Sequence, residues 1–532
     1  MTATVPSAPP PSPRIALGRP VAALVGLLAV VAALGAGQLV AGVVSPVSAP
    51  FLAVGDAVIR LAPQPVVEFA KDAFGTADKP VLLSGMAVVL AGIAAVAGLV
   101  SRRRPEPGTA VITALGLAGC AAVIFAPAFT AVDLLAPVVA LGVGVAVFRV
   151  LHRLAARALP DHRPAGPDPA GGGGMSRRGM LVGSSVAVGA LSLGGAAGGL
   201  ALGNRVRDSR RAAADLLGRA AVVERAPAVP PGADFADLGT PSMITSNADF
   251  YRIDTALRIP TGSAADWSLR IHGMTERELT LTYPELLARP LVERTITLAC
   301  VSNPVGGDLI STATFTGVEL RDVLLQAGVR PGAEQLLSTS SDGWTAGTPV
   351  QVVLEPDRGA LLAVGMNGEP LPPEHGFPVR MVVPGLYGYV SATKWLTDIE
   401  VTTFDAAHAY WVDRGWAERA PIKTQSRIDR PRGFATVPTG RFTVAGIAWA
   451  QHTGIAAVQV RVDGGPWQQA ELATEVNRDT WRMWKLDVDV APGSHTVQSR
   501  AVDRSGATQV ETRADPVPDG ATGWPAVVFT AG

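Results

Sequence analysis

Four apolar runs, Val21–Val44, Val81–Val100, Ala110–Phe129 and Leu134–Val150, each come close to the roughly 20 residues an α-helix needs to cross a bilayer. A chain in hydrocarbon must satisfy its backbone polar groups internally, so runs of this length constrain the fold to spanning helices. A fifth run, Leu181–Leu202, is weaker, being diluted by glycine and serine. The third and fourth are separated only by Thr130-Ala-Val-Asp133, with Pro127 and Pro137 close by, and read as a tight helical hairpin, with one bent segment as the alternative. Residues 1–204 are therefore expected to form a five-helix membrane anchor, with spans near 21–44, 81–100, 110–129, 134–150 and 181–202.

Loop charges orient that anchor. Arg14 and Arg19 precede the first span, Arg102-Arg-Arg104 follow the second, and Arg149, Arg153, Arg157 and Arg163 follow the fourth, whereas the Ser45–Pro80 loop is mixed. The positive-inside rule then places the N-terminus in the cytoplasm and the C-terminal part outside the cell membrane. The fifth run opens with Ser176-Arg-Arg-Gly-Met-Leu181, which reads as a twin-arginine-like export signal, with an ordinary stop of positive charge at a membrane face as the plain alternative. No Ala-x-Ala site follows it, so the segment is expected to stay as an anchor. Haem ligation within a bundle would need histidines at membrane depth, yet none of the seven lies well inside a run. Only Asp133, at a span edge, comes near to being an intramembrane charge, so the bundle reads as an anchor or docking surface.

Beyond residue 205 the chain changes character, and charge, tryptophan and alternating patterns set in. Over the whole chain 45 basic and 45 acidic residues cancel, which gives no pointer to nucleic acid. A linker is expected over 205–239, ending in a Pro-rich stretch. Trp267–Gly273 and Arg294–Cys300 alternate like strands, Tyr283-Pro-Glu-Leu-Leu-Ala opens as a helix capped by Thr282, and Val318–Ala327 reads as a helix closed by Gly328. From about Ile422 short alternating strands follow one another, notably Phe442–Trp449, Ala457–Asp463, Trp484–Val490 and His495–Ala501. They predict an immunoglobulin-like β-sandwich over 421–532, without the usual disulfide. Its tryptophans (Trp449, Trp467, Trp481, Trp484 and Trp524) read as core and interface packing.

Cys300 is the one cysteine outside the apolar runs, in Thr297-Leu-Ala-Cys-Val-Ser-Asn-Pro-Val-Gly-Gly307 at a predicted strand end. It is either an inert buried side chain or a thiolate kept for chemistry or a metal. Zinc fits poorly, because no companion ligand set is present, and no local signature supports a cysteine hydrolase. A second constellation, Gly365 to Glu400, is punctuated by Gly and Pro and carries His375, Arg380 and Lys394 at close range. Such a segment suits a large anionic cofactor, since glycines let backbone N–H groups approach phosphate and cations neutralise it. A structural loop with a solvated Arg is the plain alternative.

These residues resemble the sulfite oxidase family of molybdopterin enzymes. The resemblance runs from about Thr240 to Gly532 and is carried by Asn367-Gly-Glu-Pro-Leu, His375-Gly-Phe-Pro-Val-Arg380, Val383-Pro-Gly385, Lys394-Trp-Leu396, the Ser340-Ser-Asp-Gly343 turn and the Cys300 segment. It implies an α+β molybdopterin-binding domain over 240–410 and a dimerisation-type domain over 421–532, hence a homodimer. It implies that Cys300 is the catalytic, metal-ligating thiolate. Phe250, Tyr251, Arg252, Asp342, His375, Arg380, Ser391, Thr393 and Lys394 would hold the molybdenum–molybdopterin cofactor. The chemistry implied is two-electron oxygen-atom transfer on a small substrate.

The sequence also departs from the family pattern. Sulfite oxidases proper carry F-x-x-R-N-H where this chain reads Phe250-Tyr-Arg-Ile-Asp-Thr255, and an Asn-Arg pair where it has Asn303-Pro304. Near the tyrosine that assists the oxo chemistry it reads Tyr410-Trp-Val-Asp-Arg-Gly-Trp416. Fewer convergent cations weaken the assignment to a sulfite dianion without touching cofactor binding. No haem domain or iron–sulfur cysteine set is expected in this chain, so electrons pass to or from a separate cytochrome or quinone-linked partner. A sulfoxide (methionine sulfoxide-type) or N-oxide reductase is the alternative within the same fold. A non-catalytic surface binding or assembly protein is the alternative from another class.

Overall fold

The computed structural model describes residues 16–44, 48–63, 66, 69, 70, 73, 74, 77–126, 129–157 and 206–532. Its chain divides into two compact units, Met1–Asn204 with Ala256–Arg258, and Arg205–Thr255 with Ile259–Gly532.

In the first unit, Arg19–Val44, Asp78–Val100, Glu106–Ile124 and Ala131–Arg157 are long and apolar enough to cross a membrane. The expected fifth span and its arginine pair lie outside the described residues, so the candidate spans among the described residues number four where the sequence predicts five. Small residues let the helices touch. A Cβ on Gly26 would stand 1.9 Å from the Ala94 carbonyl oxygen, and one on Gly98 would stand 1.8 Å from that of Ala22. Close backbone approach of this kind is what drives helix association where no hydrophobic effect operates. Asp133 acts as a cap: its carboxylate accepts from both the backbone N–H and the hydroxyl of Thr130 at 2.8 Å. That fixes the turn before the last helix and explains an acidic residue at a span edge. Between the first two spans lies a shorter helix, Pro50–Leu61, which the sequence reading treats as loop.

The second unit carries strands β1 Val222–Glu224, β2 Ser268–Gly273, β3 Leu279–Thr282, β4 Leu291–Ala299, β5 Ile310–Glu319, β6 Gln335–Ser340, β7 Thr345–Pro349, β8 Leu361–Met366, β9 Glu369–Pro370, β10 Arg380–Val382 and β11 Leu396–Thr402. They form two sheets, β1-β4-β5-β8-β10 with β9 on β8, and β3-β2-β11-β6-β7. The stretch expected as a linker holds a helix over 206–217, and β1 adds in parallel to the edge of β4. Thr282 and Glu285 make a reciprocal capping box at the start of Tyr283–Leu287. The helix Leu320–Ala327 ends on Gly328 at φ 72°, whose N–H reaches the Leu324 carbonyl at 3.0 Å.

Strands β12 Gln425–Arg430, β13 Thr436–Val437, β14 Gly440–Trp449, β15 Ile455–Val462, β16 Gln468–Gln469, β17 Glu471–Leu472, β18 Arg482–Val490, β19 Gly493–Asp503 and β20 Ala526–Ala531 make a β-sandwich. Its sheets are β12-β14-β18-β17 and β13-β20-β19-β15-β16. The core between them includes Val444 and fully buried Trp484 from one sheet, and Val458 and Phe529 from the other. Trp467 and Trp524 instead lie half-buried, stacked against Arg461 and Arg500.

The α+β part and the sandwich share hydrogen bonds along β4. Thr297 receives the Trp481 N–H on its hydroxyl at 2.8 Å and the Gln451 amide on its carbonyl at 3.2 Å, and donates its own N–H to the Asp479 carbonyl at 2.9 Å. Asn477 reaches the Thr295 carbonyl at 3.0 Å. The strand that delivers Cys300 is thus braced from both parts of the unit.

Candidate functional site

Cys300 follows the last residue of β4 and opens the loop that leads back into β5. Its N–H donates to the Leu309 carbonyl at 2.9 Å, and its own carbonyl accepts the Asn303 N–H at 3.1 Å. Asn303 Oδ1 accepts the Leu309 N–H at 3.0 Å, which ties the loop across its base. A Cβ at Gly307 would stand 2.3 Å from that oxygen, so the closure requires glycine there. The thiol is 8 % exposed, buried but reachable. A small pocket beside it is lined by Asn303, Pro304, Tyr387, Gln425 and Trp449 among others, so the sandwich contributes to the same site.

Arg380, at the start of β10, is the second pole. It is 4 % exposed, and its guanidinium donates only to backbone: Nη1 to the His375 carbonyl at 3.1 Å and Nη2 to that of Ala392 at 3.3 Å. Nε is buried with no hydrogen-bond partner, and no carboxylate among the described residues pairs with the group. The ring of Phe315 lies 5.6 Å from its centre. Burial pushes its pKa down to about 10, with nearby Tyr251 opposing the shift. A buried guanidinium with open donor capacity is a receptor for an anion.

Lys394 and Arg252 add further positive charge. Both reach one carboxylate oxygen of Asp254, Lys394 at 2.7 Å and Arg252 at 2.8 Å. Lys394 also donates to the Glu374 carbonyl at 3.3 Å and is pushed down to about 8, by burial first, with Asp254 opposing. Three cations therefore stand against a single carboxylate within ion-pair reach of them among the described residues. His375, 3 % exposed, is driven down to about 4 by burial and by Arg380, so it is neutral near pH 7. Its Nε2 lies 2.9 Å from the Asn247 carbonyl, which can only accept. That nitrogen therefore carries the proton, and Nδ1 keeps a lone pair.

Phe250 stacks on Tyr251 at 5.5 Å and meets the His375 ring edge-on at 5.4 Å. The Tyr251 phenol is pushed far above its ordinary value by burial, and then by the Cys300 sulfur, while Arg380 opposes the shift. Phe250, Tyr251, His375 and Arg380 thus form one cluster that reaches the Cys300 sulfur, and Arg252 and Lys394 meet beside it at Asp254. Asp342 sits in the β6–β7 turn, where its carboxylate accepts the Trp344 N–H at 3.1 Å. That turn is tied to the Lys394 segment by Ser341 N–H to the Trp395 carbonyl at 2.8 Å. The hydroxyls of Ser391 and Thr393 are engaged inside the fold. Ser391 donates to the Leu386 and Tyr387 carbonyls at 2.9 and 3.0 Å, and Thr393 meets Ser338 at 2.7 Å.

Sequence reasoning missed Asn247, which orients His375, and Tyr387, which lines the pocket beside Cys300. Burial pushes Tyr387 up to about 12. The Asn367-Gly pair also has a role that its spacing signals. Asn367, at φ 51°, and Gly368, at φ 82°, turn β8 into β9. Asn367 Nδ2 then donates to Thr245 O and Asn247 Oδ1, both at 2.9 Å. The turn thereby fixes the segment that carries Phe250 and Tyr251.

Residues 256–411 match the oxidoreductase molybdopterin binding domain, and residues 419–517 match the Mo-co oxidoreductase dimerisation domain. Sulfite oxidase of Gallus gallus is 32% identical over 318 residues, covering 51% of this chain and 69% of that protein. Mitochondrial sulfite oxidase of Macaca fascicularis is 31% identical over 329 residues, covering 52% of this chain and 59% of that one. Nitrate reductase [NADH] 1 of Oryza sativa subsp. japonica is 28% identical over 317 residues, covering 48% of this chain and 34% of that protein. The chain thus spans from 34% to 69% of these relatives' lengths, and about half of its own is matched. On this similarity, and with Cys300 and Arg380 set in the matched region, the chain belongs to the sulfite oxidase family of molybdopterin-dependent oxidoreductases.

Proposed function

We propose that this protein is a membrane-anchored oxidoreductase that transfers an oxygen atom, with two electrons, to or from a small substrate, with Cys300 as the protein's sulfur ligand to molybdenum. The observation that carries this reading is Arg380, a buried cation with an unpartnered Nε and no carboxylate paired with it among the described residues. It fits an anionic cofactor. A soft thiolate suits molybdenum alongside dithiolene sulfurs. The bound cofactor supplies the redox centre for oxygen-atom exchange, and the protein supplies position and charge.

Arg380 and Lys394, with Arg252 behind them, would neutralise the cofactor's phosphate and polar edge. His375 would offer its Nδ1 lone pair to a pterin N–H. Phe250 and Tyr251 would pack beside it, and Ser391, Thr393 and the Asp342 turn would hold the wall in shape. Electrons would pass to or from a separate cytochrome or quinone-linked protein. The helices would anchor the chain in the cell membrane with the site outside, and the sandwich would pair two copies.

The test is metal content. Full-length protein purified from cells that make the cofactor is expected to hold about one molybdenum per chain, and Cys300→Ala to lose most of it while staying folded. Folded wild-type protein free of molybdenum would overturn the proposal.

A further inference from the structure

We propose that the outward face of the sandwich sheet holding β15, β19 and β20, with Trp467 and Trp524 at its end, docks an acidic one-electron redox protein that exchanges electrons with the Cys300 site. This rests on the function proposed above and adds the place and the charge of the electron partner.

Along β15, β19 and β20 the outward residues alternate with buried ones such as Val458, Val460, Val497 and Phe529. The register sets Arg500 opposite Gln459, and Gln498 between Arg461 and Ala526. None of the outward positions on these strands is Asp, Glu or Lys. A face that lacks those residues but keeps Arg and aromatic side chains has the composition of a protein interface.

The two arginines are held in place. Arg461 Nε donates to Gln498 Oε1 and Arg500 Nε to Gln459 Oε1, both at 2.8 Å. Their guanidinium centres lie 4.5 and 4.3 Å from the Trp467 ring centre, and 5.2 and 5.3 Å from that of Trp524. The Trp524 ring N–H is fixed on the Gln509 carbonyl at 2.9 Å. Neither arginine pairs with a carboxylate among the described residues. Asp463, just past β15, is already engaged by His495 at 2.7 Å and by the Thr496 N–H at 2.8 Å.

At the other edge the Phe434 N–H donates to the Val528 carbonyl at 2.7 Å. Phe434 is 89% exposed at φ 61°, and Val528 is 40% exposed. A bulky residue in the left-handed region is strained, so the fold holds this ring out in water at a conformational cost. Ordered Trp and Arg side chains lose little freedom on binding and are the usual anchors of an interface.

Charge chooses the occupant. A second copy apposed on a twofold axis would bring arginines toward arginines with no carboxylate to answer them, whereas an acidic surface complements them. Position gives that occupant its role. A Cβ on Gly523 would stand 3.4 Å from Val305 Cγ2, and one on Gly306 would stand 3.8 Å from Pro525 Cβ. Both neighbours of Trp524 therefore touch the loop that Cys300 opens. A partner docked here takes or gives one electron per encounter, so two encounters complete the site's two-electron change.

The test uses full-length, molybdenum-loaded protein in detergent, reduced with two equivalents of the one-electron reductant titanium(III) citrate. It is mixed by stopped flow with the ferric form of an acidic c-type cytochrome, or of a basic one of similar potential. Two cytochromes should be reduced per chain, the acidic one at least about tenfold faster at low salt. That advantage should vanish near 1 M salt, where the screening length is about 3 Å. Arg461→Gln with Arg500→Gln should slow the acidic cytochrome by about fivefold to tenfold, with molybdenum content and the rate with a small uncharged quinone unchanged. Val528→Glu leaves both Trp–Arg stacks intact and should slow the acidic cytochrome while speeding the basic one. Equal rates for the two cytochromes, or variants without effect in molybdenum-replete protein, would overturn the inference and leave the proposed function standing. So would variants that only split a dimer in sedimentation, or only release the protein from phosphatidylglycerol vesicles, with the cytochrome rates unchanged. Protein without molybdenum would overturn both.

Discussion

Arg380 Nη1 donates to the carbonyl of His375 at 3.1 Å, so the buried guanidinium leans on backbone where a buried cation ordinarily meets a carboxylate. A charge removed from water without a counter-ion costs several kcal/mol, about what a bound anion would return. In cofactor-free protein, Arg380→Met is therefore expected to raise stability by about 1–4 kcal/mol, because the uncompensated charge goes. In cells that make the cofactor, the same variant should carry much less molybdenum. Urea unfolding of the first preparation and metal analysis of the second check the two halves. A variant less stable without cofactor would mean that Arg380 is a structural brace.

The poles of this arrangement were legible in the sequence, and what joins them was not. Cys300 could be placed at a strand end because Arg294–Ala299 alternates, and β4 runs to Ala299. His375, Arg380 and Lys394 stood out because one Gly/Pro-rich stretch carries all three. Tyr387 sits in that stretch too, but nothing local says that its phenol reaches the Cys300 loop. Asp254 and Lys394 are 140 residues apart, and only the fold sets them at 2.7 Å. The helix over 206–217 and the three-residue strand β1 were read as linker, because so short a strand has no pattern of its own and exists by adding to β4. Among the spans, the predicted 110–129 is a helix at Glu106–Ile124, since Pro107 is favoured in a first turn and the chain leaves the helix before Pro127.

His375 gives the site an acid-sensitive element. Its folded value near 4 lies below its ordinary 6.5, so between those pH values the unfolded chain binds more protons. Stability contributed at this position therefore rises as pH climbs from about 4 to about 6.5 and is level above that. His375→Gln keeps a donor and removes the titration. Urea midpoints taken across this window are expected to fall more steeply on acidification for the wild type than for the variant. Parallel curves would show that His375 keeps its ordinary pKa in the folded protein.

The Asp254 carboxylate holds both Lys394 and Arg252. Asp254→Asn leaves Lys394 buried without a counter-ion, a loss expected to cost about 3–5 kcal/mol at neutral pH. The sign of the pH dependence separates this from a packing defect. Lys394 is already pushed down to about 8, below its ordinary 10.5, and without Asp254 it falls further. Stability then rises with pH across a window that opens below 8, where that of the wild type is still level, so the deficit of the variant should shrink between pH 7 and about 8. A deficit that stays constant over that range would point to packing.

In the first unit the apolar helices Arg19–Val44 and Asp78–Val100 meet through Gly26 and Gly98, where even a methyl group would collide with a facing carbonyl oxygen. Neither collision can be relieved by turning a side chain, since the obstructing atoms are backbone. Gly98→Val must therefore push the two helices apart, which removes close packing over several turns and not one contact. Ala22→Ser, on the facing helix, adds one hydroxyl and leaves both glycines in place. Thermal aggregation of the detergent-solubilised protein should set in at a clearly lower temperature for Gly98→Val than for Ala22→Ser. Molybdenum content per folded chain should be unchanged in both, because the residues proposed to hold the cofactor all lie beyond residue 205. Equal aggregation temperatures would mean that the helices do not pack through this glycine pair.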